Sequence, residues 1–262
     1  MGPPSSFKEI AGDCALCIAF YTRLPVTPPE GAVGRFADAQ WAAPLAGLVV
    51  GLAGSAVFWL AGFAGLSTSA AALAAVGAGI LLTGGLHEDG LADSADGFGG
   101  GSTPERRLEI MRDSNIGTFG ALALILSVLA RVILLEALAS PGLILCGLVA
   151  AHGASRALLP VFMRTVRPAR RDGLAATAGD GGPHAAAIAL GIGAAVLLPT
   201  LGLAGAVIAA LALGLWALAV ARYCRRRIGG QTGDVLGALQ QGAEILVLAV
   251  ASIMLTPTTE LI

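Results

Sequence analysis

Seven apolar runs, each close to the length of a membrane-spanning helix, constrain the fold of this chain more than any other feature. They cover residues 42–64, 69–86, 119–139, 142–163, 185–199, 203–221 and 242–257. A helix needs about 20 apolar residues to cross a hydrocarbon core roughly 30 Å thick. The chain is also 56% hydrophobic and only 13% charged, which is untypical of a soluble domain. The sequence therefore predicts an all-α, polytopic transmembrane helical bundle.

The first apolar segment, residues 7–24, is less regular than the others. Lys8, Glu9 and Asp13 interrupt it, so whether it crosses the membrane stays open, and the same charges argue against a cleavable signal peptide. The prediction is thus about seven to eight membrane-associated helices. Because no internal repeat or linker is evident, residues 1–262 are expected to form a single integral membrane domain.

The charges between the apolar runs indicate how the chain is oriented. The short connections carry no charge, whereas long connections rich in arginine alternate with them, so that all the long ones fall on one side of the membrane. The positive-inside rule makes that side cytoplasmic. The predicted cytoplasmic segments are residues 25–41, 87–118, 164–184 and 222–241.

One of these segments opens with four carboxylates within nine residues, in the stretch 87–97. If the preceding helix continues here, Asp89, Asp93 and Asp96 fall at i, i+4 and i+7, on one face. Two carboxylates about 5 Å apart repel by roughly 3 kcal/mol at an effective dielectric constant near 20, so a cation is needed there. Carboxylate oxygens suit Mg²⁺ or Mn²⁺, and small neighbouring residues leave room for a phosphate. The competing interpretation is a solvated acidic loop, or a helix start at which the dipole favours acids.

Two further cytoplasmic stretches carry polar side chains suited to a phosphate. Arg112 and Asp113 precede a Ser-Asn-Ile-Gly turn, where the arginine is either a phosphate clamp or one half of an ordinary surface ion pair. Gln231, Thr232 and Asp234 lie in a glycine-rich loop that follows four arginines. Such loops are mostly turns, but the amides, hydroxyl and carboxylate of this one can cradle a phosphate or complete a metal site.

Charged residues also occur near or inside the apolar runs, where they are costly and usually face a polar cavity. Arg156 and Glu244 lie toward the cytoplasmic ends of their segments, so they either border the site or extend their side chains to the interface. Arg170 belongs to a basic segment that attracts either anionic lipid or substrate. His152 and His184 have no ligand spacing and are interpreted as structural.

Together these patterns predict a metal-binding acidic cluster facing basic segments at a membrane surface. Such a site suits transfer of a substituted phosphate from a diphosphate donor to an alcohol, with metal and arginines holding the negative charge.

At these residues the chain resembles the cobalamin 5′-phosphate synthase family, also called adenosylcobinamide-GDP ribazoletransferase. The matching motifs are Tyr21-Thr22-Arg23-Leu24-Pro25-Val26, His87-Glu88-Asp89-Gly90-Leu91-Ala92-Asp93-Ser94-Ala95-Asp96-Gly97, Glu109-Ile110-Met111-Arg112-Asp113-Ser114 and Gly229-Gly230-Gln231-Thr232-Gly233-Asp234. Weaker matches are Pro168-Ala169-Arg170, Gly173-Leu174, and Glu244 after Gly237-Ala238. The motifs run in family order over nearly the whole chain. Two positions depart from the pattern, Gln241 for an acidic residue and Asn115 for a basic one.

The resemblance implies a multi-pass enzyme of the prokaryotic inner membrane, with its active site on the cytoplasmic face. It implies a Mg²⁺-dependent transfer to an acceptor that is either α-ribazole or α-ribazole 5′-phosphate. The ribose 3′-hydroxyl of the acceptor attacks the corrinoid-bound phosphate of adenosylcobinamide-GDP, and GMP is released. The partners are these substrates and the lipid bilayer, with no nucleic acid. A homo-oligomer, or association with other corrinoid-assembly enzymes, is left open.

Carried over residue by residue, the resemblance implies these site residues. The metal ligands are Glu88, Asp89, Asp93 and Asp96. The substrate-binding residues are Arg112, Asp113, Arg170, Gln231, Thr232 and Asp234. Arg156 joins them as a predicted substrate-binding residue only because of its position near the cytoplasmic end of its apolar run. His87 is a candidate for accepting the hydroxyl proton, and a metal-bound carboxylate such as Asp89 or Asp93 is the alternative.

Two other functions fit parts of the pattern. A CDP-alcohol phosphatidyltransferase uses the same metal chemistry on lipids, but its motif needs an alanine–arginine pair where this chain has Asp93-Ser94. A divalent-cation transporter would place its carboxylates at mid-membrane along a path, whereas these lie at the end of an apolar run.

Overall fold

A computed structural model describes residue 4, residues 6–170 and residues 182–256. Within those ranges the chain is helical and contains no strand, apart from one isolated bridge between Pro168 and Gln231. The weak motif match at Gly173 and Leu174, and most of the segment 164–184, lie outside the described residues.

The helices, numbered in chain order, have the following bounds. The N-terminal part contains α1 (Phe7–Tyr21), a 3-10 turn (Ala32–Arg35), α2 (Phe36–Ala39), a second 3-10 turn (Gln40–Ala42), α3 (Ala43–Phe63) and α4 (Thr68–Thr83). The acidic motif lies in α5 (Leu86–Gly100), which is followed by α6 (Pro104–Ile110). The remaining helices are α7 (Thr118–Leu138), α8 (Pro141–Thr165), α9 (Pro183–Ile228) and α10 (Gly233–Leu255).

Hydroxyl side chains define where five of these helices begin. Each accepts a hydrogen bond from a backbone N–H of the first turn, which would otherwise lack a partner. These N-caps are Ser6, Ser67, Thr103, Ser140 and Thr232. Proline near the start of α8 and α9 also favours a helix start there, because the N–H that proline lacks would have no partner within the helix.

Among the described residues, five helices are long and apolar enough to cross a bilayer. They are Phe36–Phe63, which includes α3, and Thr118–Leu138, Pro141–Thr165, Pro183–Ile228 and Gly233–Leu255. The pair α4 and α5, bent by 90°, is a sixth candidate. The predicted all-α membrane class is confirmed, although seven to eight helices is somewhat above this number. Helix α1 is too short to be counted, since it has 15 residues.

Helix α9 is 46 residues long and reverses direction at Gly202, whose backbone is not helical (φ 68°, ψ 176°). A straight helix of that length would measure about 69 Å, more than twice the thickness of the hydrocarbon core. Leu190 before the break and Leu213 after it line the same cavity beside α8, so the two arms run side by side. The arms correspond to the separate runs predicted at 185–199 and 203–221.

Helices α3 and α8 approach so closely that only glycine fits between them. A Cβ atom on Gly47 would overlap the carbonyl oxygen of His152, and one on Gly51 would lie 2.8 Å from that of Leu148. The two glycines form a G-x-x-x-G motif, which lets membrane helices approach closely.

The boundaries of the last predicted cytoplasmic segment, 222–241, differ from the structure. Helix α9 extends to Ile228 and α10 begins at Gly233, so only a four-residue connection is non-helical. The apolar run starts near residue 242, but α10 begins nine residues earlier, after its N-cap Thr232, because its first turns pack against α5.

Candidate active site

The acidic motif forms its own helix, α5, and does not continue the preceding one. Gly84 and Gly85 both have positive φ (66° and 70°), a conformation that favours glycine, and they turn the chain through 90° between α4 and α5. A Cβ on Gly84 would overlap the guanidinium of Arg23, which packs over this turn. The expected continuation was therefore wrong, but the spacing of Asp89 and Asp93 along one helix face holds.

Helix α5 crosses the start of α10 at two glycines. A Cβ on Gly90 would lie 2.9 Å from the carbonyl oxygen of Asp234, and one on Gly237 would lie 3.0 Å from the Cα of Gly90. This contact brings the acidic motif against the glycine-rich loop. The two most specific motifs of the sequence thus meet in one place, although 130 or so residues of chain separate them.

Three aspartates gather at this crossing. Asp89 is exposed, while Asp93 and Asp234 are half-buried. The negative charges of Asp89 and Asp234 act on the Asp93 carboxyl, and Arg170 opposes them. Arg170 also contacts Asp234 directly (Nη2 to Oδ2, 3.3 Å), and the hydroxyl of Thr232 donates to the same oxygen at 3.0 Å. The structure therefore joins Asp89, Asp93, Thr232, Asp234 and Arg170 as predicted.

Asp96 has a different environment from the other aspartates of α5. Its buried carboxylate accepts hydrogen bonds from the backbone N–H groups of Gly117 (2.7 Å) and Gly120 (2.9 Å), at the start of α7. A carboxylate in this position stabilises the helix N-terminus. In this structure Asp96 thus anchors α7 to α5, and its predicted role as a metal ligand stays a prediction.

Glu88 points away from the aspartates, into the bundle. Its Oε1 lies 2.9 Å from Arg131 Nη1 and accepts a hydrogen bond from Gln241 Nε2 at 3.3 Å. Glu88 lines a small internal cavity, whereas Asp89 lines two other cavities beside the crossing of α5 and α10. The interpretation of Glu88 as a metal ligand does not agree with this placement. The prediction failed because helix phase alone does not say which face meets a buried arginine.

Glu88 belongs to a buried polar network that joins four helices. Arg131 also contacts Glu244 (3.3 Å), and Glu244 in turn contacts His152 Nδ1 (3.2 Å) and accepts a hydrogen bond from Gln240 (2.7 Å). All of these residues are buried. The intramembrane charges therefore pair with one another, as buried charges must. His152 is structural, as predicted.

Arg156 is part of the same network. It is 1% exposed, and its Nη1 donates to the carbonyl oxygen of His152 at 3.2 Å. It lines a small internal cavity with Glu88, Arg131 and Glu244 rather than the surface cleft beside the aspartates. The predicted role of Arg156 in binding substrate therefore lacks the necessary access in this structure.

Two cavities open on either side of Asp89. The first, which we call the polar cleft, has a volume of about 840 Å³ and contains Arg23, Arg112 and Asp113 together with Asp89 and Asp93. The second, which we call the apolar pocket, has a volume of about 200 Å³ and lies between α1, α2, α5, α8 and α10. Asp89 lines both, so it stands at their junction.

The predicted Arg112 and Asp113 both lie at the polar cleft and are exposed. The Asp113 carboxylate accepts hydrogen bonds from the backbone N–H and the side-chain amide of Asn115. These two bonds lower the pKa of Asp113, and the backbone bond has the larger effect. Asp113 thus shapes the turn and adds a fixed negative charge at the rim. A surface ion pair in this region joins Arg106 and Glu109 (2.7 Å).

Gln231 holds the glycine-rich loop in place. Its backbone exchanges hydrogen bonds with the segment after α8, donating to the carbonyl of Arg167 (2.9 Å) and accepting from the N–H of Ala169 (2.8 Å). This bridge positions Arg170 beside Asp234. Gln231 itself is 1% exposed, so the structure assigns it a supporting role rather than direct contact with the cleft.

His87 is buried at the inner wall of the apolar pocket. Its ring stacks on that of Tyr21, with centroids 5.7 Å apart and planes 11° apart. Its Nε2 has no hydrogen-bond partner within the described ranges. Sequence reasoning did not single out Tyr21 or the pocket it lines, although its motif was among the family matches.

The carboxylates fit Mg²⁺ bound together with a phosphate rather than alone. No group of three or more His, Cys, Asp or Glu residues in the described part of the chain is close enough to chelate an ion by itself. Mg²⁺ commonly keeps several waters and uses one or two carboxylates plus substrate phosphates. Asp89, Asp93 and Asp234 supply hard oxygen ligands beside a cleft that also contains arginines.

Known proteins match this chain along nearly its whole length. The family model described as Cobalamin-5-phosphate synthase matches residues 13–252. A protein of Bradyrhizobium diazoefficiens named adenosylcobinamide-GDP ribazoletransferase is 49% identical over 248 residues, covering 94% of this chain and 95% of the relative. Proteins of the same name from Mesorhizobium japonicum (50% over 249 residues; 95% and 96% covered) and Ralstonia nicotianae (41% over 252; 93% and 96%) also match. No solved structure matches this chain.

Proposed function

The chain belongs to the cobalamin-5-phosphate synthase family, and from this premise we propose that it is an adenosylcobinamide-GDP ribazoletransferase. It transfers the corrinoid-phosphate of adenosylcobinamide-GDP to the ribose 3′-hydroxyl of α-ribazole or its 5′-phosphate, and GMP leaves. The observation that carries this proposal is the position of Asp89, at the junction of an arginine-containing cleft and a small apolar pocket. The cleft suits the anionic part of the donor, and the pocket suits an apolar part of a substrate.

The polar cleft contains the residues that hold the donor diphosphate. Arg23 and Arg112 line it, and a guanidinium presents a planar fork of N–H donors that matches phosphate oxygens. Asp89, Asp93 and Asp234 are the residues that would hold Mg²⁺. When bound, the ion neutralises the diphosphate and the leaving nucleotide. Arg170, paired with Asp234, keeps that carboxylate oriented toward the crossing of α5 and α10.

The acceptor hydroxyl must lose its proton as it attacks phosphorus. A group that receives this proton has to reach the acceptor and also face the reacting phosphate. Asp89 lines both cavities, whereas His87 lines the apolar pocket and a buried cavity behind it. The geometry therefore supports Asp89 as the proton acceptor and His87 as a residue that orients the aromatic wall.

The proposed location is a prokaryotic plasma membrane with the active site facing the cytoplasm. The arginines of residues 106–112, 164–170 and 222–227 all lie at the end of the bundle that carries the acidic motif. By the positive-inside rule this end stays in the cytoplasm, where a nucleotide-activated donor is available.

Release of GMP is the test of this function. Purified protein in detergent is incubated with adenosylcobinamide-GDP, α-ribazole and Mg²⁺, and the expected result is equimolar GMP and a cobalamin product. Omitting the acceptor is the control. Release of CMP from CDP-diacylglycerol and an alcohol, with no GMP from the corrinoid donor, would instead assign the chain to the lipid reaction.

A further inference from the structure

We propose that the apolar pocket is the subsite for the aromatic base of the acceptor, so that the base, and not the guanine of the donor, lies against Phe20 and Phe36. This inference rests on the proposed function and adds where each substrate binds. It makes Phe20, Phe36, Leu159 and Met163 specificity-determining residues of the enzyme.

The walls of the pocket are mostly hydrocarbon. Six apolar side chains from α1, α2, α5, α8 and α10 line it, namely Phe20, Phe36, Leu86, Leu159, Met163 and Leu236. Tyr21 adds a ring face, because its hydroxyl is already used as a donor to Gln40 Oε1 at 2.5 Å. Water is a poor occupant of such walls, whereas an apolar ring removes their surface from solvent.

Aromatic rings form a continuous row along one side of the pocket. Phe36 and Phe20 pack edge to face, with centroids 4.7 Å apart, and Phe20 packs in the same way on Tyr21 at 4.8 Å. Tyr21 then stacks on His87. Rings arranged in this way attract a further flat ring by stacking or edge contacts. The row therefore favours a planar aromatic ligand over a flexible chain.

The chemistry of the two bases decides between them. Guanine carries an edge of hydrogen-bond donors and acceptors, and the hydrocarbon side chains that form most of the pocket wall would leave most of these groups without partners. The benzimidazole of α-ribazole lacks such an edge, and its two fused rings match the apolar side chains.

The polar end of the pocket places the rest of the acceptor. The pocket meets the polar cleft at Phe20, Leu86 and Asp89, which line both cavities, and Asp234 belongs to the same pocket wall as Asp89. A base held against Phe20 and Phe36 therefore directs its ribose toward Asp89, the residue proposed to receive the hydroxyl proton. The guanosine of the donor is left to the larger polar cleft.

Steady-state kinetics of GMP release on the Phe36→Ala variant test this assignment. Phe36 lies on a four-residue helix at the edge of the bundle and is half-buried, so its loss should leave the fold intact. We expect KM for α-ribazole to rise about tenfold, the equivalent of one lost aromatic contact, while KM for the donor and kcat change less than about twofold. For Phe36→Leu, KM for α-ribazole should fall between the values for the wild type and for Phe36→Ala. The matched control is Phe63→Ala, because Phe63 lies at the exposed far end of α3.

Inhibition by the free base provides a test that needs no variant. Benzimidazole should inhibit the wild-type enzyme competitively with α-ribazole, and Phe36→Ala should weaken that inhibition by a similar factor. A rise in KM for the donor with Phe36→Ala, or inhibition competitive with the donor, would overturn the inference while leaving the transferase function intact. If the wild type releases no GMP at all, the function fails instead, and calorimetric binding of benzimidazole still reports on the pocket.

Discussion

Removing the Arg131 side chain should destabilise this protein more than removing any surface arginine. Its guanidinium is 3% exposed and contacts Glu88 at 2.9 Å and Glu244 at 3.3 Å through the same nitrogen. The two carboxylate oxygens therefore lie no more than about 6 Å apart. Without the cation between them, two unit charges at that separation repel by about 3 kcal/mol at an effective dielectric constant near 20.

The Arg131→Met variant keeps the length of the side chain and removes the charge. Breaking a buried ion pair on one side typically costs about 3–5 kcal/mol, in agreement with the repulsion above. We expect the thermal midpoint of the detergent-solubilised protein to fall by on the order of 10 °C. The matched control is Arg106→Met, which removes an exposed arginine paired with Glu109 and should cost less than about 1 kcal/mol.

A second set of variants separates charge from packing. Adding Glu88→Gln to Arg131→Met removes the repulsion and leaves Glu244 paired with His152, so most of the lost stability should return. If Arg131→Met is no less stable than Arg106→Met, or if the double variant is no more stable than the single one, the reasoning about this network is wrong.

Three further predictions concern packing, anchoring and orientation. Gly237→Val should force α5 and α10 apart, because its Cβ would lie 3.0 Å from the α5 backbone, and GMP release should fall by more than about tenfold. The control is Gly214→Ala, which adds a methyl group to open space in the described structure and should change neither activity nor stability. Asp96→Asn should weaken the anchor at the start of α7 by about 1–3 kcal/mol even without substrate, seen as faster amide exchange at that helix start; unchanged exchange would refute it. Reporters fused after Ala139 and after Gly229 should lie on opposite sides of the membrane, and a common side would contradict the topology.

The fold class and the elements of the site follow from local features of the sequence. Length and apolarity predict membrane helices, and the separate runs at 185–199 and 203–221 anticipate the two arms of α9. The spacing of Asp89 and Asp93 predicts their common face, because helical periodicity is a local property. The side on which the arginines collect follows from counting charges alone.

The errors concern contacts between distant parts of the chain. The turn at Gly84 and Gly85 was missed because the apolar run continues through it, and paired glycines have no single conformation. Glu88 was grouped with its neighbours because its partner, Arg131, lies 43 residues away. Arg156 is buried in a cavity that α4, α5, α7 and α10 form with α8. Packing of several distant helices leaves only a weak trace in the sequence of any one of them.

The central claim is that Asp89 joins a metal-assisted phosphate site to the acceptor. The Mg²⁺ dependence of GMP release, measured for the wild type and for Asp89→Asn, tests it most directly. The account predicts a saturable requirement for Mg²⁺ in the wild type, and a loss on the order of 100-fold in the variant at every Mg²⁺ concentration, with an unchanged thermal midpoint. Transfer by Asp89→Asn at close to the wild-type rate, or wild-type transfer in the presence of excess chelator, would contradict it.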